Sequence, residues 1–139
     1  MADRSSFVDT GYLVALINRR DALHGQATAL ARAWAKDGRI LLTTDGVLIE
    51  FANFFARSPL RSLAITSIRQ IRSTQGWTVL RLVPTLVDRA EARYGAHMDK
   101  AWSLTDCLSM EAMLDHGIRE AATPDHHFEQ AGFRILMRA

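Results

Sequence analysis

Residues 6–17 read Ser-Phe-Val-Asp-Thr-Gly-Tyr-Leu-Val-Ala-Leu-Ile, a short apolar strand that halts at an acid and turns at once into a helix. Phe7 and Val8 form the strand, and Leu13, Leu16 and Ile17 recur at helical spacing behind it. A strand running straight into a helix is the opening unit of a parallel sheet. An acid at the carboxyl end of the first strand lies where such sheets place their ligands. The charge of Asp9 is costly to remove from water there unless a cation meets it. Other polar groups are therefore expected to gather around it.

The chain continues in the same alternation. A helical pattern over 21–36 carries Leu23, Ala27, Leu30, Ala31 and Trp34 on one side, and Asp37-Gly38 stops it. Residues 39–43 read as a second strand. Thr44 and Asp45 offer capping oxygens for a helix over 46–57 bearing Val47, Leu48, Phe51, Phe54 and Phe55. Ser58 as cap and Pro59 at the first helical position open the next helix, striped by Leu60, Leu63, Ala64, Ser67, Ile68 and Ile71. A third strand is predicted over 77–83, closed by Pro84, and an amphipathic helix over 86–97 with Leu86, Val87, Ala90 and Tyr94 inward. Thr105-Asp106 opens a helix running to Leu114. Strands are predicted over 118–123 and 133–137, with a helical turn between them. The expected fold is one α/β domain over 1–139, a mostly parallel central sheet of about five strands with helices on both faces.

Composition narrows the setting. One cysteine, Cys107, excludes an internal disulfide and fits a reducing compartment, where it reads as a small core residue. Residues 1–6 show no apolar signal region, and no apolar run approaches the roughly 20 residues of a membrane span. The expected address is the cytoplasm, with no membrane contact.

Four acids are oddly placed for surface charge. Asp9 ends the first strand, and Glu50 sits between Ile49 and Phe51 in an apolar helix. Asp106 lies at a helix start, and Asp125 follows the strand ending at Thr123. Each has a plainer reading: Asp9 and Asp106 as helix-capping acids, Asp125 as a turn residue. Glu50 resists one, because a carboxylate among apolar residues needs a partner. Strand ends and the starts of neighbouring helices share one edge of a parallel sheet, so the four can converge. Clustered carboxylates repel unless a divalent cation binds between them, and Mg²⁺ or Mn²⁺ suits an all-oxygen set. With these four of the 15 acids set aside, 17 basic residues face 11 acids, the balance of a phosphate-backbone binder. All but Lys36 and Lys100 of the basic residues are arginines, whose planar fork suits phosphate.

The ordered set resembles the PIN-domain ribonucleases, nearest to VapC-type toxins of bacterial toxin–antitoxin systems. The resemblance runs from Phe7-Val8-Asp9-Thr10, through Thr44 and Val47-Leu48-Ile49-Glu50, to Ser103-Leu104-Thr105-Asp106-Cys107-Leu108-Ser109. It ends with Ala122-Thr123-Pro124-Asp125-His126-His127-Phe128 and Ala131-Gly132-Phe133, so it spans the chain. It implies Mg²⁺- or Mn²⁺-dependent cleavage of RNA, with Asp9 and Asp106 holding the principal metal, Glu50 acting with them and Asp125 completing the shell. It implies small hydroxyl positions at Thr10 and Thr105, a homodimer, and a cognate antitoxin lying across the pocket.

Other residues carry less. His126-His127 beside Asp125 invites a metal-ligand reading, against which stands a solvated turn. His24 reads as structural, and Asp99 is an outer-shell candidate. Arg57, Arg61, Arg69 and Arg72 are candidates for RNA contact or a solvated helix face. Phe51, Phe54, Phe55 and Trp34 read as core or dimer contacts. Asp9-Thr10-Gly11 spells the aspartic-protease signature, but that class is built from strands. A phosphoacceptor signalling domain would need an acid beside Asp9 and a late lysine. A degenerate module that binds RNA without cutting is the competing function.

Overall fold

A computed structural model describes residues 4–139. Met1, Ala2 and Asp3, part of the region read for a secretory signal, lie outside the described residues. The chain order is β1 (Ser5–Val8), α1 (Thr10–Ile17), α2 (His24–Asp37), β2 (Ile40–Thr44), α3 (Asp45–Phe54) and α4 (Arg61–Ser73). There follow β3 (Trp77–Leu80), α5 (Pro84–Ala96), α6 (Leu104–Asp115), β4 (Glu120–Ala122), α7 (His126–Gln130) and β5 (Arg134–Ile135). The five strands form one sheet in the order β3-β2-β1-β4-β5, every pairing parallel. The expected α/β architecture is thus the observed one.

The topology fixes where a site can lie. From β1 the chain steps outward to β2 and β3, then returns to the other side of β1 for β4 and β5. The order reverses between β1 and β4, and a crevice opens outside the carboxyl ends of strands at such a point. Phe7 pairs with Leu42 on one side and Ala121 on the other, so β1 is central and buried. Phe7, Val8, Ala121 and Ala122 are sealed from solvent together with Phe51, Met110 and Phe128 of the covering helices. Cys107 is in this core, as expected.

Local chemistry sets the element ends. Gly38 adopts φ 65° after α2, the left-handed turn a C-terminal glycine supplies. Thr44 caps α3, its hydroxyl accepting from Val47 N at 3.2 Å. Elsewhere the boundaries shift. Asp21 does not start α2, because its Oδ1 accepts from Leu23 N in a tight turn at 2.8 Å. Ser58 and Pro59 precede α4 in a turn of the same kind, with Ser58 Oγ accepting from Leu60 N. Pro84 is the first residue of α5, the position its missing N–H suits. Strand β3 stops at Leu80 because its neighbour β2 ends opposite, at Thr44. The last two strands are shorter than predicted, since β5 pairs only Arg134 and Ile135 with β4. Leu63 and Tyr94, expected inward, are exposed, and so is Phe54, which leaves the core without it; Phe51, Phe55 and Trp34 are buried. No helix among the described residues is long and apolar enough to cross a membrane.

A candidate metal centre at the switch point

All four predicted acids line one cleft of about 370 Å³ outside the carboxyl ends of β1 and β4, with Thr10, Ser103, Thr123 and His127 among its walls. Two larger grooves, of about 700 and 600 Å³, flank Pro59, and neither is lined by an acid or a histidine. Chemistry, not size, singles out the smaller cleft.

Asp9 follows β1 directly and is only 6% exposed. Its backbone is extended, and its side chain makes no capping bond to α1, so the plain capping reading does not hold. Instead Oδ2 accepts from the Thr123 hydroxyl at 2.8 Å, across from β1 to the end of β4. Burial pushes its carboxyl up to about 7, a rise tempered by the Thr123 hydroxyl and the Thr10 amide and reinforced by the charges of Asp106 and Glu50. The energetic cost expected of a charge at this strand end is therefore present.

Asp106 reaches the cleft from the start of α6. That helix precedes β4, runs against it, and so begins at the carboxyl edge of the sheet. Ser103 is its cap, two residues earlier than Thr105: Ser103 Oγ accepts from Asp106 N at 2.9 Å, and Ser103 N donates to Asp106 Oδ2 at 3.0 Å. Asp106 is thus both a first-turn helix acid and a wall of the cleft. Asp125 is likewise the cap of α7, its Oδ1 accepting from His127 N at 2.9 Å, while its own amide donates to Thr123 Oγ1 at 3.1 Å. The structural and functional readings of these acids coincide.

Glu50 departs from its expected setting. It is exposed, because α3 buries Val47, Leu48 and Phe51 on its other side. The partner it needed is the hydroxyl of Thr10, which donates to Oε1 in a close hydrogen bond. Thr10 accordingly lines the cleft, whereas Thr105 does not. Asp99 also stays outside it, exposed and 3.3 Å from Lys100 Nζ. His24 is structural, its Nδ1 lying 2.8 Å from the Ala15 carbonyl to tie α2 to α1. Of the four arginines, Arg61 donates to the Ala56 carbonyl and Arg72 pairs with Asp45.

One cleft residue has no functional reading from the sequence, and another reads there chiefly as solvent-facing. Thr123 bridges Asp9 and Asp125 through one hydroxyl. His127, for which a solvated turn stood against a metal-ligand reading, turns inward: Nδ1 lies 3.1 Å from Asp106 Oδ2 and 3.2 Å from Asp125 Oδ1. Only His126 is solvated, with 71% of its side chain exposed against 20% for His127. The usable signal was position, since the second residue after a capping aspartate is folded back over the helix start. Ligand atoms of Asp106, Asp125 and His127 lie within 4.8 Å of one another, a grouping suited to a metal ion.

Fold, switch-point cleft and acids define a class, and the PIN domain family matches residues 6–134, so this chain belongs to the PIN-domain family. Its likeness to particular members is close in extent. Over 127 residues it is 31% identical to the 23S rRNA-specific endonuclease VapC20 of Mycobacterium tuberculosis, covering 91% of this chain and 94% of that protein. The crystal structure of VapC20, described as a Sarcin-Ricin loop cleaving toxin, matches with a TM-score of 0.80 at 30% identity over 91% and 95% of the two chains. VapBC2 from Rickettsia felis, bound to a promoter DNA fragment, shares the fold at 11% identity, with a TM-score of 0.69 over 94% and 96%. FitAcB from Neisseria gonorrhoeae does so at 11% and 0.64, over 93% and 94%. The chain is a VapC-type PIN-domain homologue.

Proposed function

We propose that this chain is a divalent-metal-dependent endoribonuclease, the toxin of a type II toxin–antitoxin pair. The observation that carries the reading is the convergence of Asp9, Glu50, Asp106 and Asp125 on one cleft at the switch point of the sheet. The donor set fits Mg²⁺ or Mn²⁺, since carboxylate oxygens dominate it. Burial, with the charges of Asp106 and Glu50 beside it, pushes the Asp9 carboxyl up to about 7, a strain that a cation would relieve. Asp9 and Asp106 would hold the ion, with Glu50 acting beside them and Asp125 completing the shell. A bound divalent cation supplies two things here: a water acidic enough to attack phosphorus, and charge to offset the departing oxygen.

The chain's own residues do the rest. Thr10 holds the Glu50 carboxylate towards the cleft, and Thr123 fixes Asp9 against the strand end. With the four acids set aside, 17 basic residues against 11 acids give the rest of the chain the balance of a phosphate-backbone binder. VapC20 acts on 23S rRNA, which makes ribosomal RNA the first substrate to offer. A cognate antitoxin completes the proposal, supported by the likeness to VapBC2 and FitAcB; a homodimer and a cytoplasmic setting belong to it only as what the family resemblance implies.

The test is incubation of purified protein with total RNA in Mg²⁺, Mn²⁺ or EDTA, beside Asp9→Asn. Discrete cleavage that needs metal and disappears in the variant is expected. RNA that is bound but left intact in every lane would favour the non-cutting module, and cleavage persisting in Asp9→Asn would refute the site.

A further inference from the structure

We propose that His127 is the positioning residue of this centre, its Nδ1–H holding the Asp106 carboxylate, with Asp125 close by, in the orientation that presents their free oxygens to a cation. The inference rests on the reading of the cleft as a divalent-cation site. Both atoms facing Nδ1 are carboxylate oxygens, which accept only, so this nitrogen carries the proton. The contacts are one-sided. Asp106 Oδ2 takes both the Ser103 amide and the imidazole, and Asp125 Oδ1 takes the His127 amide and faces the same imidazole. Among the described residues no hydrogen bond reaches Asp106 Oδ1 or Asp125 Oδ2, which leaves one oxygen of each acid for the cleft.

The backbone makes this placement robust. Asp125 caps α7 and His127 is the second residue of that helix, so the same turn that fixes the carboxylate aims the ring. The ring is half-buried between the start of its own helix, α7, and the start of α6. Without the donor, two carboxylate oxygens would confront each other across the gap and swing apart. Residues that orient ligands in this way typically contribute 10- to 100-fold in metal affinity.

Asparagine and glutamine separate this role from mere packing. The asparagine amide nitrogen falls where Nδ1 lies, whereas that of glutamine falls near Nε2. Mn²⁺ binding to the full chain is measured by calorimetry without RNA, for the wild type, His127→Asn and His127→Gln, with melting temperatures in chelator as the folding control. The expected result is a Mn²⁺ Kd within about threefold of wild type for His127→Asn and raised roughly 10- to 100-fold for His127→Gln, at similar melting temperatures. Equal affinities in all three, or equal losses in both variants, would overturn the proposal. So would nitrogen modulation in the spin-echo EPR of the Mn²⁺-loaded wild type, which marks the ring as a ligand. Wild-type affinity retained in Asp106→Asn would instead fault the cation site itself.

Discussion

The hydroxyl of Thr123 donates to Oδ2 of Asp9 at 2.8 Å across 114 positions of sequence, and Thr123 Oγ1 itself accepts from the amide of Asp125 at 3.1 Å. One hydroxyl therefore registers the ends of β1 and β4 against each other and links two of the four acids. Thr123→Val keeps the shape and removes both bonds. It is expected to destabilise the protein by about 1–3 kcal/mol, more at pH 8 than at pH 5, and to weaken Mn²⁺ binding. Urea unfolding at the two pH values in chelator measures the first effect.

Asp9 makes the metal-free protein sensitive to alkali. Its carboxyl is raised from 3.8 to about 7, so between those values the folded chain holds a proton that the unfolded chain has released. Stability then falls as pH rises through that window and levels off above it, by an amount on the order of 4 kcal/mol at most. Asp9→Asn is expected to abolish that slope and to melt higher than wild type at pH 8 in EDTA. Adding Mg²⁺ or Mn²⁺ should raise the wild-type melting temperature at pH 8 and leave the variant unmoved.

Gly11 is fixed by the approach of the β4–α7 loop. A Cβ at this position would lie 2.8 Å from Pro124 Cδ, a ring atom with no freedom to retreat. Gly11→Ala is expected to cost about 1–3 kcal/mol and to separate Asp9 from Asp125. RNA cleavage should fall further than thermal stability does.

Among the described residues, the Thr10 hydroxyl is the hydrogen-bond partner that turns the exposed Glu50 towards the cleft. Thr10→Val should leave the melting temperature within a few degrees of wild type, since Glu50 is exposed. Cleavage in Mn²⁺ should drop about 10- to 100-fold, and Thr10→Ser should restore most of it.

The strand–acid–helix opening, the alternation behind it and the four acids were all legible from residue order. Periodicity and capping chemistry are local, and the parallel sheet turns them into a shared edge. What escaped was set by distance. Strand β3 ends at Leu80 because β2 offers no further partner, a fact written in residues 40–44 and not in 77–83. Glu50 was expected to be buried because its neighbours are apolar, but a helix shows adjacent residues to different sides, and α3 turns this one outward. His127 was hidden for a related reason, since its partner Asp106 lies 21 positions away on another helix. The boundaries around Ser58 and Asp21 moved because short polar side chains served turns where helix caps were expected.

The capping box around Asp106 has a bearing on how relatives of this chain are to be judged alive or dead. Ser103 and Asp106 satisfy each other at the start of α6, so the fold itself gains from an acid at that position whether or not RNA is ever cut. Asp9 makes no capping bond to the helix it precedes, and its buried carboxyl, although it accepts from Thr123, weakens the metal-free fold at neutral pH. A lineage that abandoned catalysis would keep the first acid by folding selection alone and would readily shed the second. On the proposed reading of the cleft, the aspartate closing the first strand is therefore the better diagnostic of a working nuclease, and Asp106 the poorer.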